Sequence, residues 1–285
     1  MKAINPPHIN DTEELQLLAE NTKLGSYPEL LNNHAVFIEQ YEKYTEHGGD
    51  PWSITSKIAG EKFKKSLITH YDNAPKGRLE FIDHFRRKLS PNICPMCGGP
   101  GNGTLDHYLP KDLYPEFSFY SKNLIPACNC NSLRGIKVKG NTASERAIHP
   151  FFDTFLGQRL YTTLFEGMFE TPKISIIAIN DSHPQIGIIQ FHLNEVINND
   201  ATQGWFEKHW SDLSERAHDL LDLVLPQPPQ HITGRDLKSY IERYRNAKDK
   251  EYDTPNNWYS IFYTGLINDQ ARLDILAQKI NNTRQ

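Results

Sequence analysis

Ile93-Cys94-Pro95-Met96-Cys97-Gly98-Gly99, then Leu105-Asp106-His107-Tyr108-Leu109-Pro110-Lys111, then Lys122-Asn123-Leu124-Ile125-Pro126-Ala127-Cys128-Asn129-Cys130-Asn131-Ser132-Leu133-Arg134-Gly135 is the stretch that sets this chain apart. It holds all four cysteines of the 285 residues. Two thiolates two residues apart, followed by Gly, let a loop wrap a tetrahedral ion, and such soft ligands select zinc. A lone Cys-x-x-Cys is weak evidence, but a second pair about 30 residues on makes metal binding a better reading than disulfides in a cytosolic chain. The second pair is one residue short of the usual spacing, Cys128-Asn129-Cys130. Either the loop tightens so that both thiolates reach the ion, the favoured expectation, or one of them stands outside the site.

Around this stretch the character of the chain changes. Residues 91–140 are rich in Gly, Pro, Asn and Cys and lack helical periodicity, so something other than an apolar core must staple them. The first ninety residues carry apolar positions at helical spacing, broken at Gly48-Gly49-Asp50-Pro51 and Asn73-Ala74-Pro75-Lys76-Gly77, and a short helix over 77–89 leads into the cysteines. Beyond, the β-rich runs 173–178 and 186–193 flank Asn180-Asp181-Ser182-His183-Pro184, which predicts a hairpin. Helices are expected over 201–225, stopped by Pro226-Gln227-Pro228-Pro229, and over 234–247 and 255–280.

The formal charge of −4 excludes a wholly basic nucleic-acid coat, but its distribution is uneven. Residues 1–50 hold nine acids against three lysines, whereas residues 57–88 hold nine basic residues against four acids. A basic segment therefore runs directly into the cysteine cluster, where it could meet phosphates. No apolar run approaches the roughly 20 residues of a membrane helix. The N-terminus lacks a secretory signal, so a cytoplasmic location is expected.

With Asp106-His107, then Lys122-Asn123-Leu124, then Cys130-Asn131 between and beside the cysteine pairs, the segment resembles the HNH, or ββα-metal, endonuclease motif. The resemblance covers about 45 to 60 residues. It implies an α+β fold in which a zinc-stapled ββα-metal core, residues 91–153, is embedded between a helical N-terminal region, 1–90, and an α+β C-terminal region, 154–285. By resemblance, His107 is the general base and Asp106 and Asn131 are oxygen ligands to Mg²⁺ or Mn²⁺. Asn123 orients the base by holding its loop. Asn131 stands where the family often has His, which suits a hard ion. Cys94, Cys97, Cys128 and Cys130 hold the structural Zn²⁺. Lys111, Arg134, Lys137 and Lys139 are expected at the phosphates of the substrate, and His149, in Ile148-His149-Pro150-Phe151-Phe152-Asp153, is expected behind the site or on a phosphate.

These residue types belong together because phosphodiester hydrolysis needs a deprotonated water, charge compensation on phosphate and a stabilised leaving oxygen. The substrate class is nucleic acid, with DNA favoured and RNA open. The acidic helical N-terminal region, Tyr114-Pro115-Glu116-Phe117 and the trailing His-Pro-Phe-Phe-Asp also resemble HNH proteins of Septu-type and retron-associated anti-phage systems. That resemblance implies an ABC/SMC-type ATPase partner docked on the helical flanks, and in the retron case a reverse transcriptase with its RNA/DNA. The alternative is a non-catalytic zinc-stabilised nucleic-acid-binding or adaptor subunit, which would leave Asp106, His107 and Asn131 unexplained.

Overall fold

The computed structural model describes residues 1–88, 92–101, 103–227 and 229–283. Five helices come first: α1 (Asp11–Ala19), α2 (Glu29–Asn32), α3 (His34–Glu46), α4 (Glu61–Asp72) and α5 (Glu80–Lys88). Asn10 starts α1 by accepting from the amide of Glu13. The buried residues of α3, Phe37, Gln40, Tyr41 and Tyr44, recur at three- and four-residue steps. Their rings pack on Phe63 of α4 and on Phe117 and Tyr120 of the central segment.

The central segment forms an antiparallel pair, β1 (Thr104–His107) and β2 (Leu124–Ala127), in which His107 lies opposite Leu124 and Asp106 opposite Ile125. A short helix, α6 (Cys130–Arg134), follows β2 directly. The result is a strand-strand-helix unit in a mixed helical and antiparallel chain.

A second hairpin pairs β3 (Tyr161–Glu166) with β4 (Lys173–Ala178). The expected partner of β4, residues 186–193, is not a strand: it forms α7 (Ile186–His192) and runs into a π-helical turn, Leu193–Ile197. Its buried residues, Ile188, Ile189, His192, Leu193, Val196 and Ile197, repeat at helical steps of three and four. In β3 the buried positions Tyr161, Thr163 and Phe165 alternate as a half-buried strand should.

The remaining helices are α8 (Asp200–Leu220), α9 (Gly234–Tyr252), α10 (Trp258–Ile267) and α11 (Gln270–Thr283). Thr233 and Asp236 start α9 with a capping box. The single helix expected over 255–280 is two, because Asp269 accepts from the amide of Arg272 and begins a new helix. Helix α10 lies against β3 so closely that a Cβ on Gly265 would stand 2.1 Å from the backbone oxygen of Thr163, which only glycine permits.

One contiguous set of buried apolar residues extends from Leu15 and Phe37 through Phe117 and Leu124 to Phe262 and Ile280, so the three sequence segments share a core. Among the described residues, no helix is long and apolar enough to cross a membrane.

Candidate metal centre and active site

The four cysteine sulfurs converge, with all ligand atoms within 4.8 Å of one another. Cys94 Sγ lies 3.6 Å from Cys130 Sγ, and Cys97 Sγ lies 3.5 Å from Cys128 Sγ. A tetrahedral zinc with bonds of about 2.3 Å requires sulfurs about 3.8 Å apart, so this donor set could hold zinc. The short second knuckle does tighten. The Cys128 amide donates to Cys94 Sγ at 3.4 Å, and the Cys130 amide donates to Cys128 Sγ at 3.4 Å. These bonds draw Cys128 in despite the missing residue.

The first knuckle is gripped from the C-terminal region. His192 Nε2 donates to the Met96 carbonyl at 2.6 Å, the Trp258 indole donates to the Cys97 carbonyl at 2.9 Å, and the Trp258 amide donates to the Gly98 carbonyl at 3.0 Å. The Trp258 ring sits where a Cβ on Gly99 would be, 2.4 Å away. Residues far apart in sequence thus fix the two thiolates of Cys94 and Cys97.

Asp106 and His107 end β1, whose partner strand β2 runs directly into Cys128 of this cluster. His107 is buried, and its Nε2 faces the Ser118 carbonyl oxygen at 2.8 Å. A carbonyl oxygen only accepts, so Nε2 carries the proton, and the neutral ring keeps its basic lone pair on Nδ1. Burial pushes the His107 pKa down to about 4, although the Ser118 carbonyl and Asp106 both favour the proton. The Tyr71 ring packs edge-on against the imidazole at 4.3 Å between centroids, and the Tyr71 hydroxyl donates to the Leu105 carbonyl on the same strand. Asp106 is half-buried, and its Oδ1 accepts from the His107 amide at 2.7 Å.

Asn123 closes the loop between the strands and is buried. Its Oδ1 accepts from the Leu109 amide at 2.7 Å, and its Nδ2 donates to the carbonyls of Leu109 at 3.0 Å and Phe117 at 3.1 Å. Phe117 immediately precedes Ser118, whose carbonyl holds His107. The Asn123 amide therefore fixes the backbone that fixes the imidazole.

Arg134, expected at phosphate, and His149, expected behind the site or on a phosphate, both point inward. Arg134 is buried, and its guanidinium donates to the carbonyls of His107 at 3.1 Å and Tyr108 at 3.0 Å. His149 is fully buried and contacts the Tyr44 hydroxyl at 3.0 Å, and burial holds its pKa well below the usual value. Both brace the site from inside, since neighbouring carbonyl and hydroxyl groups need partners once sequestered from water. Lys111 pairs with Asp72 at 2.6 Å and stands over the Tyr71 ring, Lys137 pairs with Glu195 at 3.0 Å at the surface, and Lys139 donates to the Pro51 carbonyl at 2.8 Å. The Asn131 side chain lies outside the described residues. Among those described, Asp106 is the oxygen donor the hairpin offers a hard ion, and Mg²⁺ is commonly held by one or two carboxylates plus water and substrate phosphate.

Ser118, Tyr44, Tyr71, His192 and Trp258 were not singled out in the sequence as site residues. Each makes a contact set by folding, which no local pattern announces.

No family profile matches the chain, and no solved structure matches it. One curated protein is similar: Protein ea31 of Escherichia phage lambda, 24% identical over 276 residues, with 90% of each chain covered. Identity at this level does not assign a family.

Proposed function

We propose that this chain is a metal-dependent HNH nuclease that hydrolyses phosphodiester bonds of nucleic acid. The observation that carries the reading is the β1–β2 hairpin, where a buried imidazole protonated at Nε2 and an adjoining carboxylate stand on one strand while the partner strand runs into Cys128 of the four-thiol cluster. In this reading, zinc at the cysteines shapes the loop entering β1 and the start of α6. It takes no part in the chemistry.

His107 accepts a proton from the attacking water at Nδ1, while the Ser118 carbonyl steadies the opposite nitrogen as the ring gains charge. Asp106, with Asn131, would hold Mg²⁺ or Mn²⁺, which would supply charge compensation on the scissile phosphate. Asn123 and Arg134 hold the backbone around the base, so its position is set before substrate arrives. Of the lysines expected at phosphate, Lys111 and Lys137 keep side chains near the surface, each beside a carboxylate, Asp72 and Glu195.

The further assignment, an effector of an anti-phage complex with an ABC/SMC-type ATPase and in the retron case a reverse transcriptase with its RNA/DNA, rests on resemblance in the acidic N-terminal region, in Tyr114-Pro115-Glu116-Phe117 and in the trailing His-Pro-Phe-Phe-Asp. Incubating the purified protein with supercoiled plasmid and with total RNA, with Mg²⁺, Mn²⁺ or neither, and with and without the product of the neighbouring gene, tests both levels. Ion-dependent nicking supports the nuclease. Binding without cleavage under every condition supports the zinc-stabilised adaptor.

A further inference from the structure

Behind Asn123 lies a buried polar chain that the proposed chemistry does not use. Tyr44 of α3, Asn123 before β2 and His149 beyond α6 are each inaccessible to solvent, yet their polar atoms meet. The Tyr44 hydroxyl is 3.0 Å from Asn123 Oδ1 and 3.0 Å from His149 Nε2, with the Lys122 carbonyl further off at 3.3 Å.

The direction of each bond can be worked out. The Phe151 amide donates to His149 Nδ1 at 3.2 Å, so Nδ1 is the acceptor and the neutral ring carries its proton on Nε2. Nε2 then donates to the Tyr44 oxygen, which leaves the single hydroxyl proton free for Asn123 Oδ1, the nearer of its two acceptors. Asn123 Oδ1 has a second donor in the Leu109 amide, and Nδ2 donates twice. All four hydrogen-bonding positions of the carboxamide are filled in one orientation. Flipping the amide would set Nδ2 against two donors and Oδ1 against two carbonyls.

The joint is also sterically closed. A Cβ on Gly49 would stand 2.8 Å from His149 Cδ2 and 2.9 Å from the Tyr44 hydroxyl oxygen, and Gly49 has a φ of +71°. The chain continues past Asn123 to Phe117, and the next residue, Ser118, holds His107.

We infer that Tyr44 and His149 are positioning residues for the base: a one-way hydrogen-bond relay, His149 to Tyr44 to Asn123, locks the Asn123 amide and hence the 109–118 loop against His107. This inference rests on the nuclease reading for its kinetic consequence, but not for its structural one. It makes α3, on the acidic N-terminal side, part of the active-site support.

Tyr44→Phe tests it, because the ring stays and one hydroxyl goes. On plasmid with Mn²⁺ the expected result is kcat lowered about tenfold or more with KM within about twofold, at unchanged zinc content. An unchanged kcat overturns the relay. A nuclear magnetic resonance measurement of the Asn123 side-chain amide gives a reading that needs no activity: exchange of its protons with solvent should quicken in Tyr44→Phe. Should the parent protein prove inactive, the nuclease reading fails and the relay is judged on this exchange alone, with unchanged protection overturning it. If Tyr44→Phe loses zinc or its cooperative melting, His149→Leu removes the donor from the other end and the same readings decide. Global unfolding of both variants marks a purely structural role and also overturns the inference.

Discussion

His107 donates from Nε2 to the Ser118 carbonyl oxygen at 2.8 Å, across the loop that joins β1 to β2. That single bond fixes the tautomer and leaves the basic lone pair on Nδ1. Its strength depends on where Ser118 is held, and Ser118 is held by its own bonds to the Pro115 carbonyl and by the grip of Asn123 on the Phe117 carbonyl.

The cysteines give the first prediction. Because all four sulfurs lie within 4.8 Å, Cys128→Ser should lower zinc content about as much as Cys94→Ser. Metal analysis of purified, reduced protein checks this, with close to one equivalent of zinc expected in the parent. Full zinc retention in Cys128→Ser would place that residue outside the centre. Structural zinc sites supply about 10–16 kcal/mol in small metal-folded peptides, so strong chelation should loosen residues 91–140, whereas withholding Mg²⁺ should not.

A second prediction concerns the grip on the knuckle. Trp258→Ala removes two indole contacts, the hydrogen bond to Cys97 and the packing over Gly99. A cost of about 3–5 kcal/mol is expected for loss of a buried Trp, read as a lower urea midpoint, together with faster zinc transfer to a colorimetric chelator. Lower stability with an unchanged transfer rate would separate Trp258 from the metal centre.

Stability should fall in acid. Burial holds His70 and His209 neutral down to about 4, and His149 lower than usual, while the same groups in the unfolded chain titrate near 6.5. Below about pH 6.5 the unfolded state binds the extra protons, so the stability these three residues contribute is complete above that pH and drains away towards pH 4. Asp11 opposes them: burial pushes its carboxyl up to about 6, so it favours folding below that value. His107 and His192 are lowered by burial in the same direction, whereas buried Glu116 sides with Asp11, and five histidines against two acids leave a net loss. The melting temperature should drop by about 5 °C or more between pH 7 and pH 5 at constant ionic strength, and a flat profile would contradict the assignment.

The cysteine cluster was legible in the sequence because its chemistry needs residue types at short spacing. The helices were legible wherever periodicity and caps agreed, as at Thr233 and Asp236. Residues 186–193 misled because a short run of Ile and Phe suits a strand as well as a helix, and only the burial of Val196 and Ile197 further on reveals the longer period. Arg134 misled for another reason. A cation beside a candidate site suggests phosphate, but its guanidinium turns inward to carbonyls that burial would otherwise strand, whereas His149 lies behind the site, one of its two expected places. Direction of that kind is decided by packing.

Removal of Asp106 should act on the ion rather than on the fold. Asp106→Ala is expected to raise the Mn²⁺ concentration giving half-maximal cleavage about tenfold or more while leaving zinc content intact. Asn131→Ala should shift the same titration. An unchanged half-saturation in both variants would remove them from the ion site.

The most direct measurement compares parent and His107→Ala proteins, at equal zinc content and equal melting behaviour, for cleavage of plasmid DNA and of RNA in Mn²⁺. The account predicts that the parent cleaves and that the variant is slower by about 100-fold or more, since a positioned general base contributes about 10²–10⁴. Parental cleavage by a folded His107→Ala protein would contradict it.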